Sequence, residues 1–131
     1  MPINVIIKSP DAKYFKTLAS IVNVDTIDGK RGILPGHVAL CLVLKIGMVE
    51  IEDLNHKRLK FSNDEGLLYI ENNEMKILVN SFEAIDQIDL NRALKAKERA
   101  LSRIDDLKFD QKRVKLALNR AINRIKVKNG E

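Results

Sequence analysis

The chain of 131 residues has a single cysteine and no long hydrophobic run. One cysteine, Cys41, excludes an internal disulfide, and its place between two leucines predicts a buried thiol that acts as a small hydrophobic side chain. The longest apolar run, residues 38–44, is far shorter than the roughly 18 residues of a membrane helix. Because the first residues show neither a basic leader nor an apolar signal region, we expect a chain that reaches a membrane only through its partners.

The sequence also lacks the motifs of catalytic and metal-binding sites. It has no Gly-rich loop followed by Lys and Ser or Thr, which excludes a P-loop. No serine or cysteine stands in the context of a nucleophile paired with a histidine. The two histidines, His37 and His56, are nineteen residues apart, and no cysteine or acidic cluster surrounds His56, which argues against a metal site. We therefore expect a non-catalytic protein with no obligatory cofactor.

The positive charge is concentrated in the second part of the chain. Residues 1–84 carry 10 Lys and Arg against 11 Asp and Glu, whereas residues 85–131 carry 13 against 7. A basic helical surface of this kind suits an acidic protein, a nucleic acid or a bound anion. Phe109 is the only aromatic residue after Phe82, so base stacking is poorly provided for and we expect no nucleic-acid partner. A nucleic-acid-binding helical hairpin is the alternative function.

Short strand-like runs separated by turn signals fill residues 1–84. Residues 14–26 are long enough for two strands or one bent strand, and residues 38–45 are apolar enough for a strand buried on both faces. Leu34-Pro35-Gly36-His37 predicts a tight turn, because Pro restricts φ and Gly permits positive φ. The spacing predicts a compact β-sandwich or barrel.

Residues 85–131 have the pattern of two helices. From Asp89 onward there is no Pro and no Gly before Gly130, and good helix formers dominate. Asp86 or Asp89 can cap the first helix, residues 105–110 predict a break, and a second helix follows over about residues 111–126. Each helix has a narrow apolar face, made of Leu90, Ala93, Leu94, Leu101 and Ile104 in the first and Val114, Leu118, Ala121, Ile122 and Ile125 in the second. The fold class is therefore α+β: a β-sandwich or barrel followed by an antiparallel two-helix hairpin.

Two motifs in this order carry a family resemblance. Gly32-Ile33-Leu34-Pro35-Gly36-His37 lies in the first part, and Ile88-Asp89-Leu90-Asn91-Arg92-Ala93 opens the second. Followed by basic helices, they resemble the epsilon subunit of F-type ATP synthases. The resemblance implies a β-sandwich domain over residues 1–84 that contacts the gamma subunit and the c-ring, and a regulatory helical hairpin over residues 85–131.

The resemblance also implies a function. Epsilon subunits are non-catalytic parts of the central stalk, the rotor, and couple gamma to the c-ring. Their helices are mobile: in some bacterial members they bind ATP when folded, and when extended into the alpha-beta hexamer they block ATP hydrolysis. The implied location is the cytoplasmic face of the cell membrane, peripherally, as part of the synthase. ATP would be a regulatory ligand and not a substrate.

Three groups of residues take roles from the resemblance. The regulatory ATP site is matched by Glu83, Ile88, Asp89, Arg92, Ala93, Arg99, Arg120 and Arg124. The rotor-facing loop region is matched by Lys30, Arg31, Leu34, Pro35, Gly36 and His37. Contact with an acidic segment of the beta subunit falls to Lys112, Arg113 and Lys115. Because the family usually has acidic or neutral residues in the turn before Gly32, Lys30 and Arg31 predict a compensating acid on the partner, most simply on the c-ring.

Overall fold

The computed structural model describes residues 1–130 and divides into two compact units, Met1–Ala84 and a second unit that begins at Ile85. The first unit consists of nine strands. They are β1 (Ile3–Lys8), β2 (Tyr14–Thr26), β3 (Gly29–Ile33), β4 (Leu40–Leu44), β5 (Gly47–Asp53), β6 (Arg58–Asn63), β7 (Gly66–Glu71), β8 (Glu74–Val79) and β9 (Phe82–Ala84). The second unit contains a short 3-10 helix (Ile85–Gln87) and two α-helices, α1 (Leu90–Arg103) and α2 (Gln111–Asn129). The predicted β-sandwich followed by a two-helix hairpin is confirmed. Over residues 1–130 no helix combines the length and apolarity needed to cross a bilayer.

Strand β2 joins the two layers of the first unit. Its first half pairs with β1, and its second half pairs with β3 and β5. The pairing continues from β1 through β8, β7 and β4 back to β2, which closes this part of the sheet on itself. Residues 14–26 thus form one strand, with a register shift between Ala19 and Ile21 where the strand changes its pairing with β5. A bulge of this kind lets a long strand bend from one layer into the other.

Alternating side chains from both layers form the core of the first unit. Along β1, Ile3, Val5 and Ile7 are buried, and β8 repeats the pattern with Met75, Ile77 and Val79. Three phenylalanines close one end, with ring centroids 4.9 Å apart for Phe15–Phe61 and 6.2 Å apart for Phe61–Phe82. Each fully buried large apolar side chain contributes roughly 1.5–3 kcal/mol, so this core stabilises the unit without help from a disulfide.

The prediction of a strand buried on both faces over residues 38–45 is wrong. Strand β4 buries Leu44, but Val43 is 46% exposed and Cys41 is exposed too. The reason is that the core covers only one face of this antiparallel strand, so alternate residues point away from it. Cys41 is therefore not the buried side chain that its apolar neighbours predicted.

Both helices are capped as their sequences require. The Asp89 carboxylate accepts the Arg92 N–H at 3.1 Å at the start of α1, and Asp110 accepts the Lys112 N–H at 3.0 Å at the start of α2. Helix α2 ends at Gly130, which has a positive φ of 75°. The two helices are antiparallel. The end of α2 lies beside the residues that precede α1, as shown by the hydrogen bond from Lys128 Nζ to the Ile85 carbonyl at 3.0 Å.

Small side chains form the contact between α1 and α2. Ala93 and Ala100 are the buried residues of α1, and Ala121 of α2 has no exposed surface. The predicted apolar face of α1 is partly wrong, since Leu94 is 41% and Leu101 is 47% exposed. On α2, Val114 and Val127 are buried with Ala121, whereas the two leucines of α1 remain partly in solvent.

We predict that Gly66→Ala destabilises the first unit by about 1–3 kcal/mol, because a Cβ at this position overpacks the sheet. An added Cβ would lie 2.0 Å from the Leu78 carbonyl oxygen and 2.7 Å from the Val79 Cα, and neither backbone atom can move alone. Gly32→Ala is the matched control, since its Cβ would approach mainly one side-chain atom, the Asn23 Oδ1, at 2.9 Å. Denaturant unfolding measures both changes. Equal losses in the two variants would contradict the prediction.

Candidate functional site

The start of α1 carries most of the motif predicted to bind nucleotide. Ile88 is 3% exposed and Ala93 is also buried, so both contribute to the packing of the second unit. The Asp89 carboxylate serves as the helix cap described above. Arg92 lies in the first turn of α1 and is exposed. Arg92 is therefore the side chain of this motif that is both charged and positioned to reach a ligand.

The arginines of both helices are distributed along the length of the hairpin. Arg92 and Arg99 are exposed and, being seven residues apart, lie two turns from each other on one side of α1. Arg120 and Arg124 are half-buried on α2. Because α2 ends beside Ile85, the start of α1 and the end of α2 lie at the same end of the hairpin. Arg92 therefore shares this open end with Arg124, whereas Arg99 lies nearer the link between the helices.

Glu83 is the one member of the predicted nucleotide set in the first unit. It lies on β9, where it pairs with Ser62 of β6, and its side chain is half-buried. The remaining members all lie in the second unit. The predicted set is thus divided between the β unit and the helical unit.

A single side chain, Gln111, holds the link between α1 and α2. Its Oε1 accepts the Asp105 N–H at 2.8 Å, and its Nε2 donates to the carbonyls of Asp106 at 2.8 Å and Arg103 at 3.2 Å. Asp105 has a positive φ of 61°, which reverses the chain direction after α1. Sequence reasoning missed this role of Gln111, because a glutamine after a helix cap has no distinctive pattern.

The predicted rotor-facing region consists of a strand and a loop. Lys30 and Arg31 were predicted in a turn, but they lie on β3, where Lys30 pairs with Asp25 and Arg31 with Val24. The turn of this hairpin comes earlier, at residues 27–28. Both side chains are exposed, so they can still meet a partner, but from a rigid strand.

The loop after β3 is anchored at its glycine. Gly36 has a positive φ of 81°, and its N–H donates to the Asn73 Oδ1 at 2.7 Å. Leu34 and Pro35 are exposed, whereas His37 is half-buried with its Nδ1 2.9 Å from the Val38 carbonyl oxygen. The predicted tight turn is present, and it offers an apolar tip rather than a charged one.

The first unit also has an exposed apolar surface, which we call the outer face and define as Cys41, Val43, Leu67, Tyr69 and Leu78. These residues lie on β4, β7 and β8, where Val43 pairs with Leu67, Leu67 with Leu78, and Cys41 with Tyr69. The three aliphatic side chains are each 46% exposed and Tyr69 is 43% exposed. Contiguous apolar patches of this kind mark interaction surfaces.

Tyr69 donates a hydrogen bond to the Glu71 carboxylate, and this bond, together with the negative charge, holds the pKa of Tyr69 above its usual value. The hydroxyl of Tyr69 thus stays protonated as the donor to Glu71, and this polar pair lies at the edge of the outer face. The signal for this face was present in the sequence: β4, β7 and β8 contain neighbouring apolar residues on both sides of the strand, although the core needs only one side.

The basic residues at the start of α2 lie on its surface. Lys112, Arg113 and Lys115 are all exposed, as contact with an acidic partner would require. Over residues 1–130 no three His, Cys, Asp or Glu side chains are placed to hold a metal ion.

Two family models match consecutive parts of the chain. The beta-sandwich domain of the ATP synthase delta/epsilon chain matches residues 2–85, and the long alpha-helix domain of the same chain matches residues 86–129. The ATP synthase epsilon chain of Clostridium kluyveri is 42% identical over 120 residues, which is 91% of each chain. That of Bacillus cytotoxicus is 34% identical over 130 residues, covering 98% of this chain and 96% of its relative.

Solved structures share the fold. A chain of the Euglena gracilis mitochondrial ATP synthase, in a structure of OSCP, F1 and c-ring, aligns with a TM-score of 0.80 and 19% identity over 93% of this chain and 78% of that one. A chain of the Tetrahymena thermophila mitochondrial ATP synthase, in a structure of its central stalk and c-ring, aligns with a TM-score of 0.58 and 16% identity over 99% and 96%.

We predict that Gln111→Ala loosens the link between the helices. The substitution removes the acceptor of the Asp105 N–H and two donors to backbone carbonyls, and each hydrogen bond is worth about 1 kcal/mol. Hydrogen exchange at Asp105 should accelerate, while exchange in β1 should not change. Gln111→Glu is the control, because it keeps the acceptor but loses the donors, and its effect should be intermediate. Unchanged exchange at Asp105 in Gln111→Ala would refute the role of Gln111.

Proposed function

Since the chain belongs to the ATP synthase delta/epsilon family, we propose that it is the non-catalytic subunit of the central stalk that couples gamma to the c-ring and regulates ATP hydrolysis through its C-terminal helices. Its place is then peripheral, on the cytoplasmic face of the cell membrane as part of the complex. The observation that carries the proposal is the outer face, because a coupling subunit needs a permanent protein contact. Family membership gives no support to a nucleic-acid-binding hairpin, and we do not propose it.

The outer face is suited to the gamma subunit. It lies on strands whose alternate residues are buried in the core, and its aliphatic side chains are half exposed to solvent. Covering such side chains contributes roughly 25 cal/mol for each Å² of apolar surface that leaves water. A contact made by a rigid sheet also transmits torque without first deforming. Gamma therefore binds here, and the rest of the chain moves with it.

The proposed contact with the c-ring is the loop after β3, which consists of Leu34, Pro35, Gly36 and His37. Lys30 and Arg31 precede this loop in the sequence and belong to the same contact. The apolar tip of the loop supplies the packing surface of this contact. The two exposed cations give the surface a positive charge. A carboxylate on the c-ring loop then pairs with Lys30 or Arg31. This pairing differs from the usual polarity that the resemblance implies.

We predict that Leu67→Glu abolishes binding to gamma, because it places a charge in the centre of the outer face. Leu54→Glu is the matched control, since Leu54 is 50% exposed in the turn between β5 and β6, away from the outer face. Co-purification of the full chain with gamma measures the effect, and circular dichroism checks that both variants fold. If Leu67→Glu co-purifies normally, gamma does not bind at the outer face.

The helical unit is the proposed regulator. Arg92, Arg120 and Arg124 would hold the phosphates of ATP, since guanidinium groups match phosphate oxygens in pairs of hydrogen bonds. The resemblance also assigns Ile88, Asp89, Ala93, Arg99 and Glu83 to this set; Ile88 and Ala93 are buried, so their part is to pack the start of α1 that carries Arg92. A ligand that contacts both helices stabilises the closed hairpin only, and thereby shifts the equilibrium away from an extended state.

The extended state has its own proposed partner. Lys112, Arg113 and Lys115 would then meet the acidic segment of the beta subunit inside the alpha-beta hexamer. ATP binds the closed hairpin and the beta subunit binds the extended one. Because a chain cannot be in both states at once, the two partners compete. Falling ATP therefore releases the helices to block hydrolysis.

We predict that Arg92→Ala weakens ATP binding by roughly ten- to hundredfold, the loss expected for a charge-assisted contact. Calorimetry on the full chain gives the affinity, and Lys57→Ala, which removes an exposed charge in the first unit, should leave it unchanged. Unaltered affinity in Arg92→Ala would remove this residue from the site.

We also predict that deleting residues 85–131 relieves inhibition of ATP hydrolysis in the assembled complex and leaves assembly intact, because the outer face and the loop at Leu34 remain. Hydrolysis rates with and without the deletion measure this. If the rates are equal, the helices are not the brake.

A further inference from the structure

A cleft of about 430 Å³ opens at the link end of the hairpin, opposite to the end that holds Arg92 and Arg124. Its apolar wall is made of three alanines and Val114 from the facing sides of α1 and α2. Its charged rim consists of Arg99, Arg103, Lys108 and Arg113. The volume lies within the range of about 300–1,000 Å³ that is usual for small-molecule sites.

The charge of this rim is not balanced by the protein. Asp110 is the one carboxylate that lines the cleft; it caps α2 through the Lys112 N–H, and its single negative charge offsets only one of the four cations. The ion pairs of Glu50 and Glu52 lie in the sheet of the first unit, and in the part of the chain that the structure describes none of the four rim cations has an ion-pair partner. Four like charges around one cleft repel each other, and an anion placed between them turns repulsion into attraction.

Part of the rim is held in position before any ligand arrives. The Arg103 guanidinium lies over the Phe109 ring, 4.7 Å from its centroid. This contact restrains a side chain that would otherwise lose rotamer freedom on binding. Gln111 fixes the backbone beneath Arg103 and Phe109 through its hydrogen bond to the Arg103 carbonyl. Arg103 and Arg113 therefore form two guanidinium donors on opposite helices at a fixed link.

We propose that this cleft binds a phosphate-bearing anion of di- or triphosphate size, held by Arg103, Lys108 and Arg113. Planar guanidinium groups bind phosphate oxygens in pairs, and the ammonium of Lys108 adds a third positive charge. The site is distinct from the proposed ATP site at the open end, although Arg99 lies between the two and can contribute to either. Occupation of the cleft ties α1, the link and α2 together and so favours the closed hairpin.

Pyrophosphate is the probe, titrated into the full chain at physiological salt and followed by calorimetry and by the NMR signals of the arginine Nε–H groups. We expect saturable binding that shifts Arg103 and Arg113, and that at these two residues weakens about tenfold or more in Arg113→Ala, the loss of one charge-assisted contact. Lys95→Ala removes one exposed charge of α1 outside the cleft and should bind normally. Arg113 is exposed, so its loss does not disturb folding.

Two results would overturn the proposal. If Lys95→Ala and Arg113→Ala weaken pyrophosphate binding equally, the anion is attracted to the basic surface in general and not to the cleft. If a peptide of consecutive acidic residues displaces pyrophosphate with high affinity, the cleft belongs to a protein partner. Arg92→Ala separates the two sites: pyrophosphate binding at the link end survives it, whereas ATP binding at the open end does not. Failure of one proposal is therefore distinguishable from failure of the other.

Discussion

The close packing of α1 on α2 through small side chains brings positive charge from both helices together along one hairpin. Ala93, Ala100 and Ala121 allow the approach, but they bury little apolar area, and each Å² is worth only about 25 cal/mol. Like charges one turn apart, such as Arg120 and Arg124, cost roughly 0.2–0.5 kcal/mol in an isolated helix. Polar contacts of Gln111 at the link and of Lys128 at the opposite end add to this apolar packing.

In the first unit, by contrast, burial of large apolar side chains is the main stabilising interaction. Its strands bury large aliphatic side chains at nearly every core position, and β2 closes one part of the sheet on itself. Gly66 lies so close to β8 that even a methyl group has no room. A unit with this packing can present an apolar outer face without rearranging. Stiffness in one unit and shallow packing in the other are the physical requirements of a coupling element joined to a regulatory one.

The sequence predicted the order of the elements, because period-two and helical patterns report which side of an element is buried. It also predicted the family, confirmed by both domain matches, and the cap formed by Asp89. The prediction failed for apolar residues whose burial depends on whether another element packs against their side of the strand or helix. Cys41 and Leu101 are such residues, and both are exposed. Lys30 and Arg31 were misplaced in a turn because charged pairs resemble turns, although edge strands carry them as well. The roles of Glu83 and the arginines stay predictions.

The energies of the hairpin decide what controls it. A ligand at a hundred times its dissociation constant stabilises the state it binds by about 2.7 kcal/mol. The hydrogen bonds of Gln111 are each worth about 1 kcal/mol, and the repulsion between neighbouring arginines is smaller still. Ligand occupancy is therefore comparable to the polar contacts that hold the link of the hairpin. A helical unit with a larger core would stay closed at any ligand concentration, and one with fewer arginines would have nothing to bind. If an anion occupies the cationic rim of the cleft as we propose, its binding energy is large enough to influence whether the hairpin stays closed.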